Sequence, residues 1–170
     1  SIPVAKAYAA GGCAQIASSR SAHLGPIKAA LPDRETMLIR IPMLSEMEIV
    51  ARDCDIVLMS EKDALIALDE AAARLGTCPG VVLMLDVGDL REGVTEIADL
   101  RALASFTETE LKHLRLRGVG TGFACMSGVL PDMDKLNRLA EAARYVEMDI
   151  GHPLDIVSGG SSIDLLLLTK

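Results

Sequence analysis

Aromatic residues are nearly absent: two tyrosines, two phenylalanines and no tryptophan stand in 170 residues. Base stacking needs more rings than that. The 17 basic residues are scattered rather than striped, under a net charge of −7, so a nucleic-acid surface is excluded. Long apolar runs are also missing. Half of the residues are hydrophobic, yet no run approaches the roughly 20 residues that span a bilayer, and no secretory leader is recognisable at the start. The four cysteines, Cys13, Cys54, Cys78 and Cys125, stand far apart with no Cys-x-x-Cys pair and no histidine at ligand spacing. That excludes a zinc site and reads as reduced thiols in a soluble, cytoplasmic protein.

What is present is regular. The length suits one domain with a real core. Short aliphatic runs predict strands at Cys13 to Ser18, Thr36 to Ile41, Ile56 to Ser60, Gly80 to Val87, Leu114 to Thr121 and Leu154 to Gly159. Segments of helical period separate them. The clearest is "SEKDALIALDEAAARLG", with Ser60 as the expected cap, Leu65, Leu68, Ala72 and Leu75 on one face, and Gly76 as the stop. "IPVAKAYAAGG" predicts a first helix with Pro3 in its opening turn. Tyr8 and Tyr145 are expected to pack from helices, and His23, His113 and His152 to lie away from any site.

Such alternation implies parallel strands joined by helical crossovers, in an open doubly wound sheet or an eight-stranded (β/α)8 TIM barrel. Both place their chemistry at the carboxyl ends of the strands. Polar residues decorate almost every predicted strand end here: Ser18, Arg40, Ser60, Asp86, Thr121 and Ser158. A barrel, whose strand ends all face one mouth, accounts for that better. On this reading residues 1–170 hold about six strand-helix units of an incomplete barrel, with the first strand and the barrel end outside the chain.

Two stretches carry chemistry. In "DIVSGGSSID" a strand delivers the chain into Gly159 and Gly160, where backbone amides can approach a ligand, and Ser158, Ser161 and Ser162 add hydroxyl donors; this is one way to hold a phosphate. An ordinary serine-capped turn has the same composition. In "DVGDLREG" Asp86 is expected to point into the barrel alongside Val82 and Met84, by strand period, while Gly88 and Gly93 let the loop fold over the mouth. Arg91 offers a planar fork for a carboxylate. A locally satisfied ion pair with Asp89 or Glu92 fits the same residues.

Taken together and in order, "MLIRIPMLSEMEIV", "LMLDVGDLREGV", "GVGTGFACMSGVLP" and "IVSGGSSIDLL" resemble the ornithine racemase branch of the alanine racemase family, barrel enzymes that use pyridoxal phosphate (PLP). The resemblance runs from "ASSR" to the last residues. It implies a PLP-dependent racemase that interconverts D- and L-ornithine or alanine-type amino acids by α-proton abstraction, working as a homodimer. It puts Arg91 where the family orients the cofactor and the substrate carboxylate, with Asp86 beside it as a substrate candidate. It makes Ser158, Gly159, Gly160, Ser161 and Ser162 the phosphate block, and Thr121 and Arg40 further cofactor candidates.

The departures from the pattern are informative. Where alanine racemases carry a threonine-histidine pair, this chain has Thr121-Gly122, and glycine cannot pack against a cofactor ring. The family's cofactor lysine closes its first barrel strand. Lys6 is too near the strand beginning at Cys13 to serve, so the lysine is expected upstream of Ser1, and a C-terminal domain is likewise expected outside the chain. Cys125 is the intrachain candidate for a second base, although a small buried residue reads the same way. Asp86 and Asp164 are the acids available for a distal substrate amine. Two rival readings remain open: a PLP-dependent aldolase or lyase of this fold, and a PLP-binding homeostasis protein without turnover.

Overall fold

The computed structural model describes residues 1–123, 129–160 and 167. Six helices and six strands alternate among them: α1 Ile2–Ala10, β1 Gln15–Ser18, α2 Leu24–Ala30, β2 Glu35–Leu38, α3 Met47–Asp53, β3 Ile56–Met59, α4 Lys62–Leu75, β4 Gly80–Met84, α5 Ile97–Glu110, β5 Arg115–Gly120, α6 Met133–Ile150 and β6 Ile156–Ser158. All six predicted strands are present, shortened by a residue or more at their ends. Every neighbouring pair is parallel, and the strands lie in sequence order with no reversal. An open doubly wound sheet needs a reversal. Successive right-handed crossovers without one put all the helices on a single side and curl the sheet into part of a barrel.

Alternate strand residues divide between the two faces. Val57, Met59, Val81, Leu83, Leu85 and Val119 point outward into the main core, against Leu65, Leu68 and Ala72 of α4, Leu100 and Ala104 of α5, and Ala142 and Val146 of α6. Leu65 and Leu68 are fully buried, each contributing about 1.5–3 kcal/mol of hydrophobic stabilisation. Ile56, Leu58, Val82 and Met84 point inward as a smaller cluster joined by Met37, Ile41 and Ile156. Helix α4 ends, as its sequence predicts, on Gly76 in the left-handed conformation at φ 66°. Its amino end differs from expectation: Glu61, not Ser60, occupies the cap position, without a side-chain cap bond. Tyr8 is also a correction, being 59% exposed rather than packed, and Tyr145 lies at the surface with Arg101 over its ring.

Strand β5 carries the main irregularity. Val81 pairs with Leu116 but Val82 pairs with Gly118, so Arg117 is the extra residue of a β-bulge. Its guanidinium crosses the concave side to Glu35 of β2 at 2.9 Å and to Asp155, just before β6, at 2.6 Å. Gln15 of β1 donates to the same Glu35. Room for the crossing comes from Gly80, where a β-carbon would stand 2.4 Å from Arg117 Cγ. Beyond the bulge, Gly118 and Gly120 pair with the inward residues Val82 and Met84, so β5 presents no side chain on the inner face above Arg117.

At the other end of β2, Arg40 makes a two-pronged contact with Glu46, at 2.8 and 2.6 Å, and donates to the Ser19 carbonyl at 2.7 Å. Glu46 also accepts from Met43 N–H and from the Ser21 hydroxyl. Arg40, aided by these two donors, holds the Glu46 carboxyl down to about 2. A carboxyl lowered on folding contributes stability above its ordinary value of about 4.3 and loses it as pH falls through the folded value.

Glu46→Gln is therefore expected to destabilise the chain at neutral pH by about 1–2 kcal/mol. It should also flatten the loss of unfolding free energy between roughly pH 4.3 and 2, measured by urea titration at each pH. Arg117→Met should cost about 1–2 kcal/mol in the same assay, since it takes the shared cation from Glu35 and Asp155, which keep only Gln15 and Arg115 respectively.

Candidate functional site

At the carboxyl ends of the strands a cavity of about 310 Å³ opens above the inner face of β5, a size suited to a small cofactor. Its floor and one wall are apolar, from Met37, Leu58, Met84 and Phe123; Arg91, Thr121, Ser158 and Gly160 bring the polar groups. Thr121 follows β5, and its N–H donates to the Ser158 carbonyl at 2.9 Å, which fixes the ends of β5 and β6 side by side. Its side chain is the clearest chemical signal here. Thr121 is 1% exposed, and its hydroxyl has no hydrogen-bond partner among the described residues. A buried hydroxyl without a partner costs free energy unless something enters to accept or donate. Gly160 closes the opposite side at φ 84°, where a β-carbon would collide with the Thr121 carbonyl oxygen at 1.8 Å. Only glycine permits that approach.

The loop after β4 forms the cavity's lip. Val94 N–H donates to the Met84 carbonyl and Asp86 N–H to the Val94 carbonyl, so residues 86–94 leave the strand and return beside it. Gly93 at φ 106° makes the return possible, since a β-carbon there would meet Asp86 N at 2.7 Å. Asp86 is buried and accepts from Gly88 N–H at 2.6 Å. Arg91 stands at the apex, ion-paired to Glu92 and, at 3.8 Å, to Asp89. Arg91 and Glu92 also lie against Gly122, whose added β-carbon would be 3.2 Å from Arg91 Nη2 and 3.4 Å from Glu92 Oε1. The pair thus occupies the space left by the missing side chain at position 122. A second cavity, of about 410 Å³, lies on the far side of the loop and shares Arg91 and Glu92 with the first; Asp86 and Glu61 line it.

The residues singled out in the sequence separate into groups. Arg91, Thr121, Ser158 and Gly160 converge on the first cavity, and Asp86 lines its neighbour. Gly159 lies between Ser158 and Gly160 without lining either. Arg40 is engaged by Glu46 and carbonyl oxygens and lines neither cavity. Cys125, Ser161, Ser162 and Asp164 lie outside the described residues. The three histidines pair elsewhere: His23 with Ser18, His113 with Asp69, His152 with Glu108. Sequence reasoning passed over Phe123 and Met37; the strand period that predicted Met84 as inward could have found Met37 as well. A further cavity of about 220 Å³ lies at the amino ends of the strands. Lys28 there pairs with Asp55 and Arg117 with Glu35, which leaves its charges satisfied without a ligand. Cys54 lines it too, with burial pushing its thiol up to about 12, which makes it unreactive.

Comparison with known proteins agrees with this geometry. The chain is 40% identical over 135 residues to an ornithine racemase of Acetoanaerobium sticklandii, an alignment covering 79% of this chain and 38% of that protein. It is 29% identical over 157 residues to a lysine racemase of Thermotoga maritima, covering 92% of this chain and 43% of that protein. The chain therefore spans less than half the length of these relatives. Among solved structures, PipY of Synechococcus elongatus PCC7942 with PLP bound superimposes with a TM-score of 0.75 at 20% identity, over 99% of this chain and 80% of that one. The profile described as "Alanine racemase, N-terminal domain" matches residues 1–170. A curled parallel sheet with its cavity at the strand ends, matched by that profile over its whole length, belongs to the alanine racemase N-terminal domain family.

Proposed function

We propose that this chain holds the cofactor site of a PLP-dependent amino-acid racemase acting on basic amino acids of the ornithine and lysine type. The observation that carries the proposal is the unpartnered Thr121 hydroxyl in a cavity that also receives Arg91, Ser158 and Gly160. These residues fit PLP. Thr121 and Ser158 supply hydroxyls for its polar edge or phosphate, and Gly160 lets backbone approach closely. Phe123, Met84 and Leu58 give an apolar wall for the ring and keep water from the reacting carbon. PLP, when bound, takes up the charge left at an α-carbon that loses its proton.

The chain's own contribution is orientation. The Arg91 guanidinium, at the cavity edge, grips the substrate carboxylate and turns the α-hydrogen toward a base. Asp89 and Glu92 hold that guanidinium in the loop until substrate arrives. No lysine lines the cavity among the described residues, and the proposal assigns the cofactor lysine, one of the two proton-moving groups, to a residue beyond them. Cys125 remains the intrachain candidate for the other. Ornithine and lysine are favoured over alanine because both curated relatives act on basic amino acids. The working protein is proposed to be a cytoplasmic dimer; no helix among the described residues is long and apolar enough to cross a membrane.

A second reading is supported by PipY, a PLP-bound protein most of whose length this chain matches: the site would carry PLP without turnover. Two experiments on the full-length protein separate these cases. Thr121→Val removes the buried hydroxyl at constant shape. It is expected to leave the PLP-free protein as stable or more stable by thermal melting, and to weaken PLP binding about tenfold, for a lost bond of roughly 1.5 kcal/mol, followed at the cofactor's absorbance band. Unchanged PLP affinity removes Thr121 from the site. Arg91→Lys keeps the charge but loses the planar fork, so α-proton exchange of ornithine in deuterated water should fall strongly while PLP stays bound. A parent that exchanges no amino acid at all supports the carrier reading instead.

A further inference from the structure

The second cavity has no part in the reading so far beyond sharing a wall with the first. Its charged lining is Glu61, Asp86, Arg91 and Glu92, three carboxylates against one guanidinium, and that guanidinium is already paired with Glu92. Asp86 is the informative member. It is 5% exposed overall and lines the cavity. Its Oδ1 accepts from Gly88 N–H at 2.6 Å, while Oδ2 has no hydrogen-bond partner among the described residues. A deeply buried acid with an open acceptor on a 410 Å³ cavity is set up to receive a cationic donor.

Arg91 and Glu92 form a wall common to both cavities, so a molecule whose carboxylate pairs with Arg91 at that wall has the acids of the second cavity within reach of a short chain. Basic amino acids have this form: a carboxylate at one end, a methylene run, and an ammonium at the other. Apolar atoms of Ile41 and the exposed Leu90 flank the acids, which suits the methylenes.

We propose that the second cavity is the subsite for the distal ammonium of a basic amino-acid substrate, with Asp86 and Glu92 as the residues that discriminate for it. This rests on the racemase reading above. Glu92 contributes from the boundary, Asp86 from the depth of the cavity, and Glu61 from its outer rim.

The test compares ornithine with norvaline, which has the same carbon chain and no distal amine, in the full-length PLP-loaded protein. The readout is the ratio of kcat/KM for α-proton exchange of the two amino acids, in the parent and in Asp86→Asn and Glu92→Gln. Asparagine retains the carbonyl oxygen that takes Gly88 N–H, so the loop is kept. The expected result is an ornithine-to-norvaline ratio at least about tenfold lower in Asp86→Asn, appearing mainly as a higher KM for ornithine, with a smaller drop in Glu92→Gln. A ratio within twofold of the parent in both variants, even with both rates reduced, makes these acids structural and overturns the subsite while leaving the racemase reading intact. Absence of exchange with either amino acid in the parent overturns the racemase reading, and the subsite with it.

Discussion

The site depends on how β5 is bent. By inserting Arg117 as an unpaired residue, the bulge changes the phase of the strand. Leu116 and Val119 can then both face the helices, while glycines fall on the inner face where the cavity has to be. The arginine it expels is not wasted in solvent. It reaches across the concavity to β2 and to the start of β6, tying β2 to β5, from which two strands separate it in the sheet. The same local irregularity empties the inner face near the carboxyl ends and fills it with paired charge near the amino ends.

From this follows the contrast between the two ends of the barrel. The amino end is electrostatically closed: Lys28, Glu35, Asp55, Arg117 and Asp155 each have an opposite charge within 3 Å. The carboxyl end differs: among the described residues it has a hydroxyl lacking a partner, a carboxylate satisfied on one oxygen only, and an arginine held by neighbours of its own loop. The amino end spends its charges on rigidity, and the carboxyl end, where such folds place their chemistry, keeps polar groups facing open cavities.

Much of this was legible in the sequence, and the reasons are specific. "VVLML" is apolar on both faces, which only a strand covered from both sides needs, and the polar residues closing each run marked one shared mouth. Arg91 could be named because its loop sits between two glycines at the end of such a strand. The bulge could not be read: "RLRGVG" keeps a plausible alternation, and nothing local shows that Arg117 has a partner some 80 residues earlier. Arg40 shows what the sequence could not display. An arginine at a strand end resembles a ligand residue until the acid that holds it, Glu46, folds back from the following turn. The Ser60 cap failed for a smaller reason: serine is a common cap, but the helix begins one residue later and places Glu61 there.

The contact of Arg91 and Glu92 with Gly122 bears on how this sequence can drift. An alanine at position 122 already presses on both charged side chains, at 3.2 and 3.4 Å, and anything larger must displace them. A larger side chain there needs the ends of Arg91 and Glu92 to swing aside. This short loop and the residue after Thr121 are thus coupled through one shared volume, and a change of size at either is felt at the other.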